Sequence, residues 1–375
     1  MTGRLIVDLD ENGTVTVGTL TGDGELPAAG RPAELSWPLD GKVLENLRWY
    51  LEDYLIAPYG VYEDQGPQIA ASLRKWGEQV FSSVFGSGSA RDAYLGLRAR
   101  GDVELVFRSA SPSLLGLPWE LMADPARTRP LALEIAGVGR SFPVAPDAAQ
   151  TVDVPGGRLR VLMVISRPAG GDDVGYRMIA RPLLARLEAA QGAVDLEVLR
   201  PPTLDALRGK LVTAANTGMP FQVVHFDGHG VMPGYPAGTR DPLMFMAADG
   251  EGMLVFEKPG GGPHAVPASR VAQVLADAKV PVVILNACQS AAVGKELEAA
   301  IATRLLGEGI ASVVAMAYSV YAVAAAEFMA AFYEHLFIGG TVSAAVTAGR
   351  QQMFRAPSRP SPKGDLPLQD WLVPV

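Results

Sequence analysis

Two stretches of the sequence place reactive side chains just after short apolar runs. Residues 221–230 read FQVVHFDGHG and carry His229, and residues 281–290 read PVVILNACQS and carry Cys288, the single cysteine of the chain. A thiol attacks a carbonyl carbon as the thiolate, and a neighbouring imidazole activates the thiol and later protonates the leaving amine. The two stretches therefore suggest nucleophilic catalysis by a thiol–imidazole pair.

The same stretches offer donors for the oxyanion that such an attack creates. An oxyanion needs backbone N–H groups held at fixed positions. Gly228 and Gly230 flank His229, and glycine lets the backbone approach a substrate closely. We expect the N–H groups of Gly230 and Cys288 to donate to the oxyanion.

The pattern around these stretches predicts the sheet that must position them. Short apolar runs rich in β-branched residues, separated by helical segments, are typical of a parallel sheet that is buried on both faces. Five such runs lie after residue 157, at 160–165, 194–199, 221–226, 282–285 and 310–316. We therefore predict an α/β domain over 151–375, a mostly parallel sheet flanked by helices. Ligands bind beyond the carboxyl ends of such strands, which is where His229 and Cys288 are expected.

Residues 1–150 predict a separate α+β accessory domain. Residues 4–19 suggest a β-hairpin whose turn, Asn12-Gly13, suits the positive φ angles of type I′. Helices are expected from about Gly41 and Gln68, and Trp119 is expected to fill the core while Glu120 is weighed as a substrate contact. Residues 143–157 are rich in Pro, Ala, Asp and Gly, so the domain boundary is placed there.

Composition excludes several classes of partner. The 375 residues are 49% hydrophobic and 19% charged, with a net charge of -8 and no Lys/Arg block. Nucleic acid and anionic membrane are therefore poor partners for this chain. A single cysteine rules out an intrachain disulfide and, with no signal peptide in the sequence, predicts a cytoplasmic protein. The apolar end of the sequence, 370–375, leads us to expect further domains after Val375.

The remaining histidines and loops predict neither a metal nor a cofactor. Four histidines and one cysteine at these spacings do not form a zinc site. His225 lies within a strand and is expected to be a hydrogen-bonded core residue, while His264 and His335 are expected to be bystanders. The loop at 166–175 lacks the glycine patterns of phosphate-binding loops, which disfavours a nucleotide site.

Several of these motifs resemble a known family. Residues 225–230 and 285–290 resemble the two motifs of CHAT domains, caspase-like cysteine peptidases of the caspase–hemoglobinase group, clan CD. Residues 117–121 (LPWEL) and 307–350 also resemble segments of that family. The resemblance implies that His229 is the catalytic histidine, Cys288 the nucleophile and Gly230 the oxyanion glycine. The sequence departs from the family at 317–321, where many CHAT domains carry a Trp and an Asp.

The resemblance implies a function and a cellular context. The chain would be a cysteine endopeptidase that cleaves a protein substrate through an acyl-enzyme, within a larger bacterial signalling or defence protein regulated by other domains or a partner. Residues 1–150 would then be a docking domain or a degenerate caspase-like half. Two alternatives stay open: a catalytically inactive caspase-like module that senses or scaffolds, and a nucleotide-binding α/β domain.

Substrate preference is the least determined property. Peptidases of this clan commonly select the residue before the cut through a pocket beside the catalytic strands. Asp227 and Asp249 are candidates for pairing with a basic side chain of the substrate, and Arg167 is a candidate for pairing with an acidic one. The sequence does not choose between these preferences.

Overall fold

The computed structural model describes most of the chain. The described residues are 3–21, 24–27, 32–143, 157–168, 194–231, 251–286, 294–318 and 320–375. Cys288 and Asp249 lie outside these ranges, as do most of the boundary segment 143–157 and of the loop 166–175. Within the described chain, no helix combines the length and the apolar character that crossing a membrane requires.

The chain divides into two compact units. The first comprises Met1–Pro143, Val346–Val373 and Val375, and the second comprises Val144–Ala345 and Pro374. Residues 346–373 therefore belong to the same unit as the N-terminal part of the chain.

The strands follow one another in this order: Gly3–Leu9 (β1), Thr14–Thr21 (β2), Gly24–Pro27 (β3), Ala33–Glu34 (β4), Val103–Arg108 (β5), Gly137–Ser141 (β6), Leu159–Ile165 (β7), Val194–Val198 (β8), Val223–Asp227 (β9), His229–Val231 (β10), Met253–Glu257 (β11), Pro263–Pro267 (β12), Val282–Asn286 (β13), Ser312–Val314 (β14), Ser358–Arg359 (β15) and Leu366–Pro367 (β16). The helices are Gly41–Glu52 (α1), Val61–Phe85 (α2), Gly88–Arg100 (α3), Pro112–Leu115 (α4), Leu204–Asn216 (α5), Ala268–Asp277 (α6), Gly294–Gly307 (α7), Ala322–Phe337 (α8) and Val342–Arg355 (α9).

The first unit contains a mixed sheet in the order β3-β2-β1-β5-β6, with β4 paired to β2. The predicted hairpin is present as β1 and β2, but its turn differs from the expected type I′. The N–H of Asp10 donates to Thr14 O at 2.9 Å, and only Gly13 in this turn has a positive φ, of 78°. This is a three-residue loop closed by one left-handed glycine, a common alternative to the two-residue turn.

The core of the first unit forms around Trp119, as the sequence predicts. This side chain is fully buried, and its ring stacks on Phe107 with centroids 4.1 Å apart. Its Nε1 donates to Leu114 O at 2.9 Å, so the buried polar atom of the indole is satisfied. Helix α1 begins after Asp40, whose carboxylate accepts from the N–H of Val43 at 2.9 Å and thereby caps the helix.

The second unit contains a parallel sheet in the order β14-β13-β9-β7-β8. All four strand pairs in it are parallel, and helices flank the sheet. Every residue of β9 and β13 is buried, which explains why these strands read as continuous apolar runs. The predicted α/β fold with a parallel sheet is confirmed.

A small antiparallel sheet, β10-β11-β12, follows β9 directly. The sequence predicts a glycine-rich loop at 260–263 with His264 in it; the loop is present, but His264 lies on a strand instead. Gly261 and Gly262 both adopt positive φ angles, of 89° and 85°, and form the turn between β11 and β12. His264 lies on β12, opposite Phe256.

Candidate active site

The carboxyl ends of β9 and β13 meet at one edge of the parallel sheet. The two strands are neighbours in register, with Val282 opposite Val223 and Asn286 opposite Asp227. The last residue of each strand is polar and buried. This edge is the position at which open parallel sheets bind their ligands.

His229 begins a new strand immediately beyond this edge. The N–H of Gly228 donates to Asn286 O at 3.1 Å, and the chain then enters β10, where His229 lies opposite Val255 and Gly230 opposite Leu254. His229 is partly exposed and Gly230 is buried. The structure thus places His229 and Gly230 together at the sheet edge. Cys288 lies outside the described residues and follows Asn286 by two positions, as His229 follows Asp227.

Gly228 has a steric role in this arrangement. A Cβ atom at this position would lie 2.8 Å from the Phe226 ring and 3.3 Å from Ser166 Cβ. The chain therefore needs a glycine where it leaves β9 for β10. The sequence suggests only that Gly228 and Gly230 let the backbone approach a substrate. It does not predict that Gly228 is required for packing.

Asp227 and Arg167, predicted as selectors of opposite charge, form an ion pair with each other. Arg167 Nη2 lies 2.9 Å from Asp227 Oδ1, and Arg167 Nη1 donates to the backbone oxygens of Ser166 and Asp227 at 2.8 and 2.9 Å. Both side chains are largely buried, with 12% and 3% of their surface exposed. A charged substrate side chain would have to compete with this internal partner. Their predicted substrate contacts stay predictions, as does that of Asp249, which lies outside the described residues.

Two polar residues at this edge were not singled out from the sequence. Asn286 Nδ2 donates to Asp227 Oδ1 at 3.1 Å, and Glu257 Oε1 accepts from the backbone N–H of Arg167 at 3.0 Å. Asn286 ends an apolar strand, which is a signal that could have identified it. Glu257 ends β11 and has no such signal, because its partner is a backbone group 90 positions away.

His225 is a core residue, as predicted, although only one ring nitrogen is hydrogen-bonded within the described chain. Its Nδ1 lies 3.2 Å from the Tyr333 hydroxyl, whereas its buried Nε2 has no hydrogen-bond partner among the described residues. Burial lowers the pKa of His225 to about 4, although the charge of Asp227 acts in the opposite direction. His225 is therefore neutral at neutral pH and packs in the core.

Metal ligation finds no support in the part of the chain that the structure describes. Within those residues, no three His, Cys, Asp or Glu side chains come together in a group that could hold a metal ion. The buried carboxylate at the sheet edge, Asp227, is bonded to a guanidinium and an amide instead.

The parallel sheet, its flanking helices and the histidine at its carboxyl edge define a caspase-like α/β protein. Residues 88–371 match the CHAT domain, so the chain belongs to the CHAT family of caspase-like proteases. Among solved structures, the fold is similar to the crystal structure of the Saccharomyces cerevisiae separase–securin complex, with a TM-score of 0.50 and 11% sequence identity. That match covers 100% of this chain and 29% of the other, so this chain spans less than a third of the length of its structural relative. No curated protein matches the chain.

Proposed function

We propose that this chain is a cysteine endopeptidase that cleaves a protein substrate with a His229–Cys288 dyad. The observation that carries the proposal is the register of β9 and β13. Asp227 and Asn286 are opposite each other at the carboxyl edge, and His229 and Cys288 each follow two positions later in the sequence. Membership of the CHAT family supports the same pair, because 225–230 and 285–290 lie within the matched residues and resemble the two motifs of that family.

The proposed reaction has two steps. The Cys288 thiolate attacks the scissile carbonyl carbon, the peptide C–N bond breaks, and His229 gives a proton to the leaving amine. A thioester links the acyl part of the substrate to Cys288 until water attacks it, releasing a carboxylic acid and restoring the thiol. The N–H groups of Gly230 and Cys288 donate to the oxyanion in both steps.

The same proposal covers the two domains, the substrate and the cellular context of this chain. We assign 151–375 to the peptidase domain, of which 346–373 belong to the first compact unit, and 1–150 to an accessory domain that docks a partner or descends from a caspase-like half. The substrate is a protein or peptide, and regulation comes from further domains or a partner in a bacterial signalling or defence protein of the cytoplasm. Nucleic acid, membrane and cofactors have no part in it.

The single cysteine makes the dyad directly measurable. Iodoacetamide alkylates a thiolate much faster than any other side chain, and Cys288 is the single thiol, so the first alkylation seen in the intact mass reports the rate at Cys288. A thiolate reacts and a thiol does not, so we expect His229→Ala to slow alkylation at neutral pH by about tenfold. The matched control is His264→Ala on β12, which should alkylate at the parent rate. Equal rates in the parent and His229→Ala would refute the dyad.

Cleavage is tested with a protease-digested bacterial proteome as a peptide library, read by mass spectrometry of new termini. We expect new termini with the parent chain and none with Cys288→Ala, while His229→Ala lowers their rate of appearance by roughly 100-fold or more. Cleavage that survives Cys288→Ala would contradict the mechanism. A parent chain that alkylates slowly and yields no new termini would favour the inactive caspase-like module.

A further inference from the structure

Three neighbouring strand ends are joined by one carboxylate. Asp227 Oδ1 on β9 accepts from Nη2 of Arg167, which follows β7, and from Nδ2 of Asn286 on β13. We propose that Asp227 is a positioning residue, which fixes Asn286, two residues before Cys288, against the strand that leads to His229. This inference rests on the proposed peptidase function and adds the device that aligns its two reactive groups.

The side-chain bond acts where the backbone ladder stops. The register of β9 and β13 ends at the Asp227–Asn286 pair, and at Gly228 the chain leaves the parallel sheet for β10. One backbone bond beyond that pair is present, from Gly228 N to Asn286 O at 3.1 Å. The bond from Asn286 to Asp227 therefore supplies a second, directional link at the point from which both reactive residues depart.

Burial makes this link selective for one geometry. Asp227 and Asn286 are 2% and 5% exposed, so water does not compete for their hydrogen bonds. Asp227 Oδ2 has no hydrogen-bond partner among the described residues, whereas Oδ1 contacts both Arg167 and Asn286. A small rotation of Asp227 would therefore disturb the contacts to Arg167 and Asn286 together.

Arg167 extends the same network to the small sheet that carries His229. Its guanidinium contacts the carboxylate and the backbone oxygen of Asp227, and its own N–H donates to Glu257 on β11. β11 pairs with β10, and Val255 on β11 lies opposite His229 on β10. The network therefore reaches both the strand before His229 and the strand beside it.

A charge swap separates positioning from a general loss of polar contacts. Asn286→Asp sets two carboxylates about 3 Å apart, which opposes the native contact. Asp227→Asn weakens both contacts by removing the charge. In the double variant Asp227→Asn/Asn286→Asp, the amide nitrogen at position 227 can take the place of Oδ1 and donate to the carboxylate at position 286. This restores the link between the two strand ends and loses the bond to Arg167, because both native contacts fall on the same atom.

We expect each single variant to lower kcat for a peptide from the library by about 10- to 100-fold and to leave KM unchanged. Displacing two reacting groups by up to about 1 Å has an effect of this size. The swap should have a higher kcat than Asn286→Asp, because it restores the bond between positions 227 and 286. The control is Asp195→Asn at the opposite end of β7 and β8, where the ion pair of 2.9 Å with Arg160 is broken far from the edge. It should keep the parent kcat even if the midpoint of urea unfolding falls.

The rate of Cys288 alkylation distinguishes a failure of this inference from a failure of the peptidase function. If the parent cleaves no peptide, the proposed peptidase function is wrong. The positioning role is then tested by alkylation of Cys288 alone. It predicts slower alkylation in both single variants and faster alkylation in the swap than in Asn286→Asp. If the parent cleaves and the singles retain its kcat and alkylation rate, positioning is refuted while the function stands. A swap that has no higher kcat and no faster alkylation than Asn286→Asp, in folded protein with a normal unfolding midpoint, also refutes it.

Discussion

Glu120 and Arg350 are 230 positions apart in the sequence, and their side chains meet in the core of the first unit with Arg350 Nη2 3.1 Å from Glu120 Oε1. Arg140 binds the same carboxylate with both terminal nitrogens, at 2.5 and 2.8 Å. Burial alone would raise the pKa of Glu120, but the two guanidiniums hold it below its usual range. Burial lowers the pKa of Arg350 to about 10, with Arg140 adding to the fall and Glu120 opposing it. Glu120 is thus a buried structural anion, so the substrate contact weighed for it is wrong.

Removing the charge of Glu120 should destabilise the protein strongly. Glu120→Gln would leave Arg140 and Arg350 side by side with no counter-charge, and breaking a buried pair in this way costs about 3–5 kcal/mol. The free energy of urea unfolding at neutral pH measures this loss. The control is Glu78→Gln, which breaks a pair with Arg74 whose side chains are 36% and 37% exposed and should cost about 1 kcal/mol or less. A Glu120→Gln variant that matched the control would contradict this account of the cluster.

The sequence predicts those parts of the fold that depend on local patterns. β9 and β13 were predicted because every residue in them is buried, so an apolar run marks each strand. The hairpin closed at Gly261 and Gly262 is harder to predict, because a run of glycines is typical of any loop and does not show that the chain turns back between two paired strands. Ion pairs between distant positions, such as Glu120 with Arg350, leave no periodic signal in a sequence.

The candidate site shows the same limit. The sequence predicts His229 and Gly230 as candidate site residues, because a histidine between two glycines after an apolar strand is a local pattern. It offered Arg167 and Asp227 as separate selectors of charge, because nothing in the sequence shows that positions 60 apart form a pair. The pairing depends on the order of β7 and β9 in the sheet, which becomes visible only in three dimensions.

His225 should make stability depend on pH in a defined window. Burial lowers its pKa in the folded protein from 6.5 to about 4. Below pH 6.5 the unfolded chain therefore takes up a proton that the folded protein takes up only near pH 4, so stability is lost as the pH falls between these values. The loss reaches about 3 kcal/mol at most, because a difference of one proton between the two states changes the free energy of unfolding by about 1.4 kcal/mol per pH unit.

Urea unfolding at about pH 7.5 and about pH 5 measures this effect. We expect His225→Leu to reduce the difference in unfolding free energy between the two pH values, whatever its effect on stability at neutral pH. His264→Gln on β12 is the matched control and should keep the difference of the parent. If His225→Leu keeps the full difference, other groups account for the acid sensitivity.

Gly228→Ala should damage both packing and reactivity at the sheet edge. The added Cβ would lie 2.8 Å from the Phe226 ring and 3.3 Å from Ser166 Cβ, and both neighbours are buried. Overpacking of this kind costs about 1–3 kcal/mol, and relief of the clash would displace the chain next to His229. We therefore expect a lower free energy of urea unfolding and slower alkylation of Cys288. The control is Gly209→Ala in α5, where a Cβ meets nothing within 4 Å and a helix interior gains up to about 1 kcal/mol. A Gly228→Ala variant as stable and as reactive as Gly209→Ala would show that the strand exit tolerates a side chain.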